Sequence, residues 1–132
     1  MVLVDSNVLI DLFTNDPNRA EWSENTLLEA ARYDALAINP VIYAEISIAF
    51  SDAAKLDAVL EPLEIMRLQL PYRAAFLAGK AFLKYRRRGG DRSSPLPDFF
   101  IGSHAVSEKM KLITRDTKRF RSYFPGINCV TP

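Results

Sequence analysis

The stretch VLVDSNVLID, residues Val2 to Asp11, decides how the rest of this 132-residue chain is read. Val2, Leu3 and Val4 run straight into Asp5; Ser6 and Asn7 follow, and Val8, Leu9 and Ile10 resume the apolar character. The first apolar run reads as a buried β-strand, so Asp5 stands at the end of a segment where a lone charge costs several kcal/mol unless something compensates it. The chain beyond this stretch must supply the partner.

Working outward, short β-like runs alternate with longer helical patterns. Met1–Asp5 reads as a strand, Val8–Thr14 as a short helix and Pro17–Asp34 as a longer one with Pro17 in its first turn. Ala35–Ile38 is a second strand. Asn39-Pro40 forms an N-cap and first-turn pair that opens a helix to about Phe50. Asp52–Leu60 is helical and Glu64–Leu68 a strand. From Tyr72 to Arg88, Tyr72, Phe76, Gly79 and Leu83 fall on one helical face, predicted to pack inward with Gly79 at a close approach. Gly89-Gly90 ends that helix, and DRSSPLP is a loop. Pro97 opens a helix to about Met110; Lys111–Thr114 is a strand, Thr117–Tyr123 a short helix and Gly126–Val130 a last strand. Alternating β and α segments with wholly apolar strands predict an α/β fold, a parallel sheet covered on both faces.

Length and composition agree with one domain over residues 1–132. The apolar fraction is 48% and the charged fraction 25%, the globular norm. A single cysteine, Cys129, excludes an internal disulfide framework and argues against a cysteine-built zinc site. Asp5 interrupts the N-terminus too early for a signal peptide, and no apolar run reaches membrane-spanning length; the expectation is a soluble, cytoplasmic protein without membrane partners. The net charge of +1 hides an uneven distribution. Residues 1–79 carry 5 Lys/Arg against 12 Asp/Glu, and residues 80–121 carry 12 against 4. A basic half of this kind is either a solvated surface or the footprint of a polyanion.

Three further acids share the oddity of Asp5. Glu45 is the only charge in ALAINPVIYAEISIAF, Asp98 sits between Pro97 and Phe99, and Asp116 closes LITRD just past a short strand. Asp5 and Asp116 also have a structural account as helix caps, and Asp98 as a first-turn acid favoured by the helix dipole. Glu45 has none, being inside a helix with apolar neighbours. One arrangement satisfies all four: the strand ends and helix openings converge, and the carboxylates share a pocket. Such a pocket repels itself unless a divalent cation keeps it ionised. All-oxygen ligation suits Mg²⁺ or Mn²⁺.

The ordered pieces VLVDSNVLIDLF, INPVIYAEI, LPDFFIGSHA and LITRDTKRF resemble the motifs of the PIN-domain nucleases, above all the VapC-type toxins of toxin–antitoxin pairs. The resemblance spans almost the whole chain. It implies a three-layer α/β/α domain with a mainly parallel sheet and an Mg²⁺- or Mn²⁺-dependent site that cuts RNA. The family's acids fall on Asp5, Glu45, Asp98 and Asp116, and its small polar positions on Ser6, Asn7 and Thr114. It further implies homodimers and a cognate antitoxin that covers the groove.

On this reading Asp5 and Asp98 are the principal metal ligands, and Glu45 and Asp116 complete the shell or position the attacking water. Asn7 and Thr114 hold the carboxylates in place. Asp11, one helical turn after Asn7, reads as a surface acid. Arg86, Arg87, Arg88 and Arg92 precede the Asp98 segment, while Arg115, Lys118, Arg119 and Arg121 bracket Asp116; these cations would guide a phosphate backbone. His104, six residues after Asp98, points away from it on a helix and reads as a hydrogen-bonded packing residue. Trp22, Phe76, Phe82, Tyr85, Phe99 and Phe100 read mainly as core. Two other functions fit the acids less well. A phosphohydrolase with an aspartyl nucleophile wants a second acid where Asn7 stands, and a non-catalytic RNA- or protein-binding module has no use for four intact acids.

Overall fold

The computed structural model describes residues 1–89 and 96–130. Its strands are β1 (Val2–Val4), β2 (Leu36–Ile38), β3 (Met66–Arg67), β4 (Lys111–Ile113) and β5 (Cys129–Val130). They form one sheet in the order β3-β2-β1-β4-β5, and every pairing is parallel. The helices are α1 (Ser6–Phe13), α2 (Ala20–Ala31), α3 (Pro40–Ser47), α4 (Ala53–Leu60), α5 (Tyr72–Arg87), α6 (Leu96–Ser107) and α7 (Thr117–Tyr123), with a 3₁₀ turn at Glu61–Leu63. Every residue of β1 and β2 is buried, which requires cover on both faces and gives the three-layer α/β/α architecture expected.

The chain builds one side of the sheet as β1, β2, β3, then crosses back to add β4 and β5 on the other side of β1. The strand order therefore reverses between β1 and β4. In open parallel sheets that reversal leaves a crevice beyond the strands' carboxyl ends, where ligands bind. Val4 pairs with Ile113, and the Asp5 amide donates to the Ile113 carbonyl at 2.9 Å, so Asp5 and the segment after β4 emerge side by side.

Local chemistry sets most element boundaries. Asn39 accepts from the Ile42 amide at 2.9 Å and Asp52 from the Lys55 amide at 2.9 Å, so α3 and α4 begin at the caps read from sequence. The second helix starts later than Pro17. Asp16 accepts from the Asn18 and Arg19 amides at 2.9 and 3.0 Å, which holds residues 17–19 in a turn ahead of Ala20. Gly89 follows α5 with φ +80°, a conformation that favours glycine.

The packing face of α5 is the clear departure. Tyr72 is 94% exposed and Phe76 69%, and Leu83 is also exposed. The helix instead buries Ala74 and Ala78 and packs Ala81, Phe82 and Tyr85 against the core. Nothing lies within 4 Å of a Cβ built on Gly79, so that glycine marks no close approach. The close approach is at Gly102 of α6, where a Cβ would fall 2.5 Å from the Phe124 ring. An aromatic cluster locks this side: Phe99 stacks on Tyr123 at 4.2 Å and meets Phe82 edge-on at 5.2 Å. Phe99 is fully buried, which anchors the first turn of α6 and with it Asp98.

Candidate active site

Asp5 ends β1 and precedes α1, with 3% of its surface exposed. Its Oδ1 accepts from the Ser6 amide at 2.8 Å, and its Oδ2 accepts from the Thr114 hydroxyl at 2.8 Å. The Ser6 hydroxyl donates to Glu45 Oε1 at 2.9 Å, bringing α3 to the same crevice. This is the partner that Glu45 lacked in the sequence. Thr114, fully buried just past β4, is the hub of the arrangement. While donating to Asp5, its oxygen accepts from Asn7 Nδ2 at 3.4 Å and from the Asp116 amide at 3.0 Å. One donor and two acceptor positions are all a hydroxyl has, and all three are used.

Asp98 enters from the first turn of α6, 5% exposed, and its buried Oδ2 has no hydrogen-bond partner. Burial pushes the Asp98 carboxyl up to about 6; Arg119 opposes the rise, and the charges of Asp5, Glu45 and Asp116 add to it. Burial likewise pushes Asp5 up to about 6, opposed by the Thr114 bond and reinforced by Glu45. The four acids therefore share one electrostatic environment, although they come from positions 5, 45, 98 and 116. Asp116 does not cap α7 through its side chain. It turns instead to Arg119, whose Nη2 donates to Asp116 Oδ2 at 2.7 Å.

The donor set fits a hard divalent cation: oxygen ligands only, one buried carboxylate oxygen without a hydrogen bond and two acids whose ionisation burial resists. Among the described residues, no three acids stand close enough about one point to hold a metal ion as they are. A protein cation is already among them. Arg119 Nε lies 3.3 Å from Asp98 Oδ2, off the N–H axis, so that this guanidinium spans Asp98 and Asp116.

The PIN domain family matches residues 2–123. The chain belongs to that family. No curated protein matches the sequence. Among solved structures, this PIN domain is similar to VapBC2 from Rickettsia felis bound to a DNA fragment from their promoter: 19% identity, TM-score 0.77, covering 99% of this chain and 98% of that one. It is also similar to VapBC-1 from nontypeable Haemophilus influenzae, at 20% identity and TM-score 0.75 over 99% and 98% of the two chains. DNA-bound VapBC from Salmonella typhimurium gives 22% identity and TM-score 0.72 over the same shares.

Other sequence-picked residues of the PIN domain sit as follows. Asp11 is not a surface acid; it is 3% exposed, 2.6 Å from Arg115 Nε, and accepts from the Ser23 hydroxyl at 3.3 Å. Arg115 is thereby committed to an internal ion pair. Arg88 Nη2 donates to the Ser122 carbonyl at 3.2 Å, and the Arg86 guanidinium lies over Phe82 at 5.6 Å. Arg87 and Lys118 are exposed. Arg92 lies outside the described residues. His104 is buried, and burial lowers its pKa; its Nδ1 faces Asn39 Nδ2 at 3.0 Å. Because Asn39 Oδ1 is spent on the Ile42 amide, the Asn39 amide is the donor and His104 Nδ1 the acceptor. The pair ties the start of α3 to α6, the two helices that carry Glu45 and Asp98. Sequence reading missed Arg119 as a partner of the acids; the only local signal was its position three residues after Asp116, one helical turn away.

Proposed function

We propose that this PIN domain is a divalent-metal-dependent endoribonuclease, a single nuclease domain over residues 1–132, acting in the cytoplasm as the toxin of a toxin–antitoxin pair. The observation that carries the proposal is the buried Asp98 Oδ2, which accepts no hydrogen bond, in a pocket where burial and like charges raise Asp5 and Asp98 together. Likeness to VapBC structures over nearly the whole chain supports the toxin assignment and a cognate antitoxin partner; a homodimer is part of the same proposal.

In this reading Asp5 and Asp98 hold Mg²⁺ or Mn²⁺, with Glu45 and Asp116 completing the shell. When bound, the ion supplies Lewis-acid polarisation of the phosphoryl oxygens and a more acidic attacking water. Thr114 and Ser6 fix the Asp5 and Glu45 carboxylates, and Asn7 supports Thr114. Arg86, Arg87 and Lys118 are the cations placed to meet an RNA backbone; Arg88 and Arg115 meet it only by leaving their present partners.

The test is incubation of purified protein with defined RNAs in Mg²⁺ or Mn²⁺, then in chelator, beside Asp98→Asn. Cleavage by the wild type only, and only with metal, is expected. Wild-type rates from Asp98→Asn overturn the role of Asp98, and RNA left intact by the wild type with either ion overturns the nuclease.

A further inference from the structure

We propose that Arg119 is the site's own resting counter-cation, holding Asp98 and Asp116 in the metal-free protein and competing with the divalent ion for them. The inference rests on the nuclease reading above and concerns how its metal site is loaded.

Three observations carry it. First, Arg119 meets both acids with one guanidinium, Nη2 at 2.7 Å from Asp116 and Nε at 3.3 Å from Asp98. Second, the contact to Asp98 is poorly made. The Nε–H axis misses the carboxylate, both atoms are buried, and neither has a hydrogen-bond partner. Arg and carboxylate frequently pair through two parallel hydrogen bonds; this contact makes none and leaves Asp98 Oδ2 available to a better ligand. Third, the arginine has somewhere to go. Its side chain is 40% exposed and that of Asp116 is 50%, so the guanidinium can return to water at little cost.

Arg115, whose Nε likewise lacks a hydrogen bond, differs in exposure. That side chain is 23% exposed and its partner Asp11 5%, with Ser23 also bonded to the acid. Arg115 is built in, whereas Arg119 sits at the mouth. Loading the site exchanges one cation for another: Arg119 withdraws to solvent and the freed carboxylates close on the metal.

The experiment compares wild type, Arg119→Gln and Arg119→Lys by Mn²⁺ calorimetry and by thermal melts in EDTA and in saturating Mn²⁺. Removing the competitor should tighten Mn²⁺ binding of Arg119→Gln by roughly three- to tenfold, the range expected for a partly exposed pair with two acids. In EDTA, Arg119→Gln should melt a few degrees lower, because the acids lose their counter-charge; in saturating Mn²⁺ that loss should vanish. Arg119→Lys should restore the EDTA melt and much of the wild-type affinity. An Arg119→Gln protein with wild-type Mn²⁺ affinity and the same melting loss with and without metal overturns the proposal, leaving Arg119 a plain structural pair and the nuclease reading intact. Absence of Mn²⁺ binding in all three proteins overturns both.

Discussion

Replacing Asp98 by Asn should stabilise the metal-free protein while removing its metal site. Asp98 rises from its ordinary 3.8 to about 6 in the folded chain. Two pKa units at about 1.4 kcal/mol each mean that folding at neutral pH carries about 3 kcal/mol of unfavourable charge burial at this side chain. An isosteric amide escapes that cost. That cost is already net of the attraction of Arg119, which opposes the rise. The net gain is therefore about 3 kcal/mol, or roughly 10 °C in Tm for a chain of this size.

The pH dependence gives the sign. A carboxyl whose folded pKa lies above its unfolded value binds its proton more tightly when folded, so wild-type stability is fully present below pH 3.8 and lost as pH rises through about 6. The advantage of Asp98→Asn should therefore be near zero at pH 4, open between pH 4 and 6, and level off above pH 7. Thermal or urea unfolding in EDTA across this range reads it directly. An Asp98→Asn protein that melts at or below wild type at pH 7.5, or one whose gain persists undiminished at pH 4, refutes the account of Asp98 as a buried, self-repelled acid.

Thr114→Val keeps the shape but strips a side-chain donor to Asp5 Oδ2 and an acceptor for Asn7 and the Asp116 amide; unfolding should show a loss of about 1–3 kcal/mol, and metal binding by calorimetry should weaken. Asp11→Ala leaves Arg115 partly buried without its counter-ion, and denaturant melts should register a loss of about 2 kcal/mol; an unchanged midpoint would show the pair to be ornamental. The two α-helical glycines should respond in opposite senses. Gly79→Ala meets open space on an exposed face and should gain about 0.5–1 kcal/mol, whereas Gly102→Ala drives a methyl into the Phe124 ring and should lose about 1–3 kcal/mol.

Much of the site was legible because burial is expensive for charge. An acid at the end of an apolar strand, or inside an apolar helix, advertises a missing partner whatever the fold around it. Asp5, Glu45 and Asp98 stood out on that ground, and the structure brings them with Asp116 into one crevice where they influence each other's ionisation. Strand ends and helix caps were legible too, since Asn39 and Asp52 act within three residues of themselves.

What escaped was decided at long range. The α5 segment carries two faces of helical period, one of Tyr72, Phe76 and Leu83 and one of Ala74, Ala78, Ala81 and Phe82. Sequence favoured the bulkier face; the fold buried the alanines, whose small side chains let the helix lie against α6, and left Tyr72 and Phe76 in water. Asp11 read as a surface acid because Arg115, its partner, lies 104 positions away. Arg119 read as one more basic residue beside Asp116 until α6 delivered Asp98 to its other side. By itself, then, the sequence determined the alternation of strands and helices, the caps and the acids that could not be left alone, all set by local backbone preference and by the cost of burying charge. Only the tertiary structure decided which helix face turns inward and which cation answers which acid, because those choices depend on how close two distant segments can approach.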